Sequence, residues 1–279
     1  KTAGAEIFLR RGGEGPPVLL LHGYPETHAM WHRVAPQLAR GHSIVVPDLR
    51  GYGRSSKPPS LPDHTGYDKR TMAKDMVEIM AALGWRHFAL AGHDRGGRVA
   101  YRMALDHPGT VTRLAVLDIV PTHTMWTRLD RKLASAIYHW TFLIQPDGLP
   151  EKLIGADPEY YLREKLRRWS GNPRAFAPEA VADYLAGFQD PASIHATCED
   201  YRAGATLDFE HDQADFGRRK IACPMLVLWG ETGVARRIDD VLAVWRQWAD
   251  DVRGRGLPCG HFLPEEAPEE TAAELKAFL

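Results

Sequence analysis

Short, unbroken apolar runs alternate along the first half of the chain with stretches whose apolar positions recur every three or four residues. Residues 17–22 (Pro-Val-Leu-Leu-Leu-His) end at Gly23, and residues 43–48 (Ser-Ile-Val-Val-Pro-Asp) end in Leu49-Arg50-Gly51-Tyr52-Gly53. Runs of this length without alternation predict strands buried on both faces. Residues 86–92, 112–118 and 224–230 repeat the pattern, and a weaker strand precedes Gly260-His261. Met72, Met76, Ile79, Met80 and Leu83 predict a helix over 71–83, stopped by Gly84. Further helices are predicted from Gly97 to about Asp106, over 241–248 and over 268–279, with Glu265-Glu266 and Glu269-Glu270 as the acidic start of the last one. Strands alternating with helices imply a mostly parallel sheet, flanked by helices and joined by right-handed crossovers.

From about Pro121 the pattern changes. Residues 123–207 show no strand pattern but several helical stretches carrying Trp126, Tyr138, Trp140, Phe142, Trp169 and Tyr201. A stretch of about 85 residues is too long and too apolar for a simple loop, and the strand pattern resumes beyond it. The predicted organisation is an α/β core formed by residues 1–122 and 208–279, with a helical cap inserted at 123–207.

Composition narrows the function classes. The 279 residues are 44% hydrophobic and 25% charged, ordinary for a soluble globular protein. A net charge of −1 offers no argument for nucleic acid or an anionic membrane, and no apolar run approaches the roughly 18–20 residues of a membrane span. Cys198, Cys223 and Cys259 are odd in number and lack metal-like spacing, which fits reduced thiols in a cytoplasmic protein. Neither a phosphate loop of the G-x-x-x-x-G-K type nor an H-E-x-x-H motif is present, so no metal and no cofactor is expected. The chain begins at Lys1, which carries no information about a leader.

The chemistry concentrates at Gly92-His93-Asp94-Arg95-Gly96-Gly97-Arg98. G-x-nucleophile-x-G between a strand and a helix is a sharp elbow that exposes the nucleophile above a parallel sheet. A carboxylate in that place points away from acyl transfer: Asp94 can displace a leaving group from a saturated carbon and form an ester with it. Asp94, Asp118 and His261 each follow a predicted strand, where sites of open parallel sheets form. Arg95 and Arg98, three residues apart, share one helix face. Two cations keep Asp94 ionised but damp its nucleophilicity, and an anionic substrate resolves the conflict by taking the guanidinium donors with its own carboxylate.

The order nucleophile, acid, histidine, with His22-Gly23-Tyr24-Pro25, residues 48–55 (Asp-Leu-Arg-Gly-Tyr-Gly-Arg-Ser) and Cys259-Gly260-His261-Phe262, resembles the α/β-hydrolase superfamily over nearly the full length. Within it, His-Asp-Arg-Gly-Gly-Arg, His139-Trp140 and Gly260-His261-Phe262-Leu-Pro-Glu-Glu look like the fluoroacetate (haloacetate) dehalogenases. That resemblance implies a small anionic halogenated acid as substrate, bound through Arg95 and Arg98, with His139, Trp140 and Tyr201 as the halide pocket. It also implies a homodimer. His261 is expected to activate water against the Asp94 ester, and Asp118 to orient His261. Glu231 is a rival acid after the following strand; Asp118 is preferred because it stands where these dehalogenases carry theirs. Glu231, Asp239 and Asp240 are then expected to be solvated loop or helix-start residues. The fold's oxyanion-hole pattern points to the backbone N–H groups of Tyr24 and Arg95.

The alternative is an epoxide hydrolase using the same Asp94 and His261, with Tyr201 and either Tyr138 or Tyr184 protonating the opening oxygen. It ranks second because it leaves Arg95 and Arg98 without an assigned partner. A haloalkane dehalogenase meets the same objection, and a non-catalytic receptor on this fold would be expected to lack the nucleophile, base or acid. His22 and His93 are expected to support loops.

Overall fold

The structure is a computed structural model that describes residues 1–238 and 240–279; Asp239, expected above to be solvated, lies outside the described residues. A twisted sheet runs in the order β1 (Leu9–Gly12), β3 (Ser43–Pro47), β2 (Pro17–Leu21), β4 (Phe88–His93), β5 (Val111–Leu117), β6 (Met225–Gly230), β7 (Val252–Leu257). All neighbouring pairs are parallel except β1 with β3. From β2 the chain moves to β3 on one side, then crosses to β4 on the other. The carboxyl ends of β2 and β4 therefore flank the point where strand order reverses, the place where such sheets open a crevice. Leu21 pairs with Gly92 there, so Gly23-Tyr24 and Asp94 leave the sheet side by side.

β2 to β6 are the buried runs that the apolar pattern predicts, with boundaries within two residues. β1 carries no such signal: Arg10, Arg11 and Gly12 are exposed, and only its pairing with β3 makes it a strand. Its arginines protect an open edge. The elbow helix is Asp94–Asp106, so it begins at the nucleophile rather than at Gly97. Its first turn carries Arg95 and Arg98, and everything from Asp94 to Leu105 is buried. Gly96 makes this packing possible, since a Cβ there would stand 2.3 Å from the His22 carbonyl oxygen. The helix predicted over 241–248 closes at Trp245, and Trp248 instead gives its carbonyl to Ile221 N–H at the bottom of the sheet.

One expectation is overturned outright. Glu265 and Glu266 do not start the last helix, which is Pro268–Phe278; they lie in the separate turn Leu263–Glu266. Glu265 is fully buried and bonds the Tyr184 hydroxyl. Glu266 accepts backbone N–H groups of Gly171, Asn172, Gly260 and Phe262 at 2.7–3.1 Å. Its carboxylate thereby locks the His261 loop to the helical segment, a tertiary role that helix-dipole reasoning does not reach.

Between β5 and β6 the chain is helical from Thr122 to Asp215. Leu149–Ala156, Pro158–Trp169, Pro178–Phe188 and Pro191–Ala205 each carry proline in their first two positions, where its missing N–H costs nothing. Pro191–Ala205 is almost wholly buried from Ser193 to Gly204 and brings Asp200 and Tyr201 inward. Leu207–Asp215 bonds back to the elbow helix: Arg102 meets Asp212 at 2.9 Å and Asp215 at 2.6 Å, and Tyr101 donates to Asp212 at 2.7 Å. Among the described residues no helix is long and apolar enough to cross a membrane.

Candidate active site

Asp94 sits at φ +46°, a left-handed conformation that costs of order 1–3 kcal/mol for a non-glycine residue. It is held because β4 feeds the buried helix on one side and Gly23 crowds it on the other; a Cβ on Gly23 would lie 2.5 Å from the Asp94 Cβ. The Tyr24 N–H donates to Asp94 Oδ1 at 2.9 Å. The Arg95 N–H belongs to the first helical turn, whose amides have no intrahelical acceptor. Asp94 Oδ2 faces His261 Nε2 across 3.8 Å.

His261 Nδ1 donates to Asp118 Oδ2 at 2.6 Å. Asp118 also sits at positive φ (+49°), and its Oδ1 accepts the Gly230 N–H at 3.1 Å. The structure thus brings Asp94, His261 and Asp118 together, while Glu231 is exposed. Asp240 caps the helix Val241–Trp245, as a helix-start residue would. His261 is further placed by its own backbone: its N–H donates to the Trp169 carbonyl at 2.9 Å and its carbonyl accepts from His93 Nε2 at 2.8 Å. His22 has a supporting role, with Nε2 accepting the Leu49 N–H and Nδ1 donating to the Gly23 carbonyl.

The electrostatics of this cluster are strongly perturbed. Burial alone would raise the Asp94 pKa, but His261, then His93, Arg95 and Arg98 outweigh it and hold the carboxyl down at about 2. Burial would lower the His261 pKa, but its bond to Asp118, the Asp118 charge and then the Asp94 charge lift it to about 9. Asp94 and His261 therefore face each other as an ion pair at neutral pH.

The two arginines differ in a way that their spacing conceals. Arg95 is fully buried and already committed: Nε and Nη2 bond the Asp200 carboxylate at 3.1 and 2.5 Å, and Nη2 also donates to the Asp200 carbonyl. Only Nη1 has no partner within the chain. Arg98, 2% exposed, donates to the Val120 carbonyl and Thr122 Oγ1 through Nη1 and leaves Nε unpartnered. Among the described residues, no carboxylate lies in ion-pair contact with Arg98. The two guanidinium groups lie over aromatic faces, Arg95 at 4.2 Å from the Tyr201 ring and Arg98 at 4.6 Å from the Trp140 ring.

His139, Trp140 and Tyr201 converge in the same place, with ring centroids 5.6 Å apart for His139–Tyr201 and 5.9 Å for Trp140–Tyr201. Burial, then Lys165, push the His139 pKa well below its ordinary value, so the ring is neutral with one N–H. His139 Nδ1 and the Tyr201 hydroxyl are buried without a partner in the chain. A cavity of about 30 Å³ is lined by Asp94, Arg98, Asp118, His139, Trp140 and His261, among others. At roughly 10–15 Å³ per water on this scale, it matches a molecule of a few heavy atoms.

Reasoning from sequence missed Asp200. It accepts from Arg95, from Lys69 Nζ and, at 2.6 Å, from the Tyr52 hydroxyl, all in the interior. Asp200 precedes Tyr201 directly, but no spacing marks an acid that meets partners 105 and 131 residues away. Asp68, Asp208 and His211 bring ligand-type atoms within 4.8 Å of one another, yet Lys69 Nζ already supplies positive charge 3.5 Å from Asp208 Oδ2.

A family model described as alpha/beta hydrolase fold matches residues 16–268, and the chain belongs to that family; it is a hydrolase. It is 48% identical over 269 residues to a fluoroacetate dehalogenase of Burkholderia sp, covering 96% of this chain and 88% of the relative. It is 35% identical over 270 residues to a soluble epoxide hydrolase of Corynebacterium sp. (strain C12), covering 95% and 91% respectively. Among solved structures, an alpha/beta hydrolase-type protein of Nostoc sp PCC 7120 superposes with a TM-score of 0.98 at 59% identity, over 100% of this chain and 95% of that one.

Proposed function

We propose that the protein hydrolyses the carbon–halogen bond of short 2-haloacids such as fluoroacetate. The observation that carries this reading is a set of buried polar side-chain atoms without partners among the described residues, close to an ionised carboxylate: Arg95 Nη1, Arg98 Nε, His139 Nδ1 and the Tyr201 hydroxyl. An unsatisfied buried polar group costs roughly 1–3 kcal/mol; Arg98 and His139 line the cavity, Arg95 and Tyr201 pack against its Trp140 wall, and an anion that sheds a halide would satisfy all four. Arg98 and the free edge of Arg95 take the substrate carboxylate; His139, Trp140 and Tyr201 take the halide as it departs. The helical residues 123–207 act as the cap that closes this pocket from water. The relative at 48% identity supports the same assignment.

Asp94 Oδ2 attacks the α carbon and the halide leaves with the bonding pair, giving an ester on Asp94. That esterification removes the Asp94 charge, one of the influences that raise the His261 pKa, so His261 can then release its proton and act as a base. His261 Nε2 takes a proton from water, and the oxygen adds to the Asp94 carboxyl carbon. The oxyanion grows on the oxygen facing the Tyr24 N–H, with the Arg95 N–H as second donor. Collapse restores the Asp94 carboxylate and frees a 2-hydroxy acid; Asp118 stays bonded to His261 and stabilises the imidazolium when it forms.

Epoxide opening by the same Asp94 and His261 is favoured by the relative at 35% identity, and Asp200 answers part of the objection to it by giving Arg95 a counter-ion. Its second cap tyrosine is harder to find: the Tyr184 hydroxyl is bonded to Glu265, and Tyr138 receives Lys165 Nζ. Free halide after incubation with fluoroacetate and chloroacetate separates the two. Halide release is expected, with a carboxymethyl adduct confined to Asp94 in His261→Asn by intact mass and peptide mapping. Epoxide opening without halide release, or an adduct elsewhere, would reverse the assignment.

A further inference from the structure

Lys165 is an amine in the protein interior, 1% exposed, and among the described residues no carboxylate lies in ion-pair contact with it. Its Nζ donates to the Tyr138 hydroxyl at 2.5 Å and lies 3.9, 4.6 and 5.4 Å from the rings of Tyr138, Tyr161 and Trp169. Burial, then the charge of Arg168, pull the ammonium down to about 7. A buried amine without a counter-ion is costly when charged, and groups perturbed in this way cluster at functional sites.

Two of those rings form part of an outer cavity of about 340 Å³, lined also by Arg167, Arg168, Val234 and Arg237. Its described lining contains no carboxylate. Arg167 and Arg168 share Glu164 at 2.5–2.8 Å, two cations on one acid, and remain more than half exposed. Trp169 and Val234 line both this cavity and the inner one that holds Asp94, so the two cavities share part of their wall. Positive charge thus continues from the surface arginines, past Lys165 behind the Tyr138–Trp169 wall, to Arg98.

We propose that the outer cavity is a docking vestibule for small organic carboxylates, which pass between Trp169 and Val234 to reach Asp94. Arg168 and Arg237 draw the anion in, and Lys165 charges the wall it passes. The inference rests on the haloacid reading above, whose substrate is an anion throughout the cycle.

The test is the double variant Arg168→Gln/Arg237→Gln, assayed by halide release from chloroacetate. KM is expected to rise roughly three- to fivefold, the weight of two charges near 10 Å in a largely aqueous medium, with kcat within about twofold. The response of KM to ionic strength should also flatten between about 0.01 and 0.15 M, where the screening length falls from roughly 30 to 8 Å. Lys165→Met should raise KM by at least as much while leaving the Tm unchanged or higher; a purely structural lysine would lower the Tm and leave KM alone. Acetate affinity by calorimetry needs no turnover. If the wild-type protein releases no halide but the double variant still binds acetate several-fold more weakly, the haloacid reading falls and the vestibule stands. Equal acetate affinity, or an unchanged KM and salt response in an active enzyme, overturns the vestibule.

Discussion

Below the inner cavity, at the ends of β2, β4 and β5, the reacting groups are partnered within the chain. Asp94 accepts the Tyr24 N–H, His261 donates to Asp118, and Asp118 accepts the Gly230 N–H. Above and beside them the opposite holds: among the described residues, His139 Nδ1, the Tyr201 hydroxyl and one nitrogen each of Arg95 and Arg98 are buried with no partner. The floor comes from backbone geometry, two strand ends and two residues at positive φ, and it is complete without a ligand. The roof comes from side chains on helices, and its unpartnered atoms are open to a ligand. A site of this kind can hold its nucleophile rigidly while reserving its hydrogen-bonding capacity for substrate and leaving group.

The sharpest way to break that contrast is at the two arginines. Arg98→Met removes a cation with no carboxylate in contact, so kcat/KM for haloacids is expected to fall by about 10²–10³-fold with little change in Tm. Arg95→Met takes a partner from buried Asp200 and should add a stability loss of about 3–5 kcal/mol, read in urea unfolding. Equal destabilisation by both variants would return Arg98 to a structural role and erase the distinction between floor and roof.

A smaller effect concerns pH. Asp94, held at about 2, stays ionised over any working range, so ester formation should vary little between pH 6 and 9 on its account. His261 must be neutral to activate water, and Asp118 still raises its pKa once Asp94 is esterified. Ester hydrolysis should therefore slow as pH falls, and acid-quenched mass spectra should show more adduct on Asp94 at the low end. An adduct fraction that does not change with pH would remove His261 from the second step.

The smallest effect lies outside the cavity. Glu265 is raised to about 8, first by burial, despite its bond to Tyr184. Its folded state prefers the protonated form, so its contribution to stability is fully present below its ordinary pKa and lost as pH rises through about 8. Glu265→Gln should flatten the decline in Tm between pH 5 and 9. A slope remains from His261, whose contribution is present below its ordinary value and lost through about 9. A wild-type slope in the variant would mean that Glu265 is ionised in the fold.

The strand runs, the elbow, and the placing of Asp94, Asp118 and His261 at strand ends were legible in the amino-acid pattern because each depends on local rules: buried strands are continuous apolar runs, and a tight strand-to-helix turn needs glycines where backbones touch. β1 was not legible, since two arginines and a glycine become a strand only by pairing with β3. Nor was Glu266, which reads as helix-start charge until two amides of the distant 171–172 segment and two of its own His261 loop close on it.

What the chain determined by itself is the kind of chemistry, a carboxylate nucleophile with a histidine and an acid on a parallel sheet. Tertiary structure alone decided how much of each cation is available to a substrate. Asp200 takes most of Arg95, Arg98 is buried with no carboxylate in ion-pair contact among the described residues, and Lys165 is enclosed by aromatic rings. Charge is written into a sequence, but its partners are set by which helix lies against which. In a low-dielectric interior, that choice separates a satisfied ion pair from a site that is open to an anion.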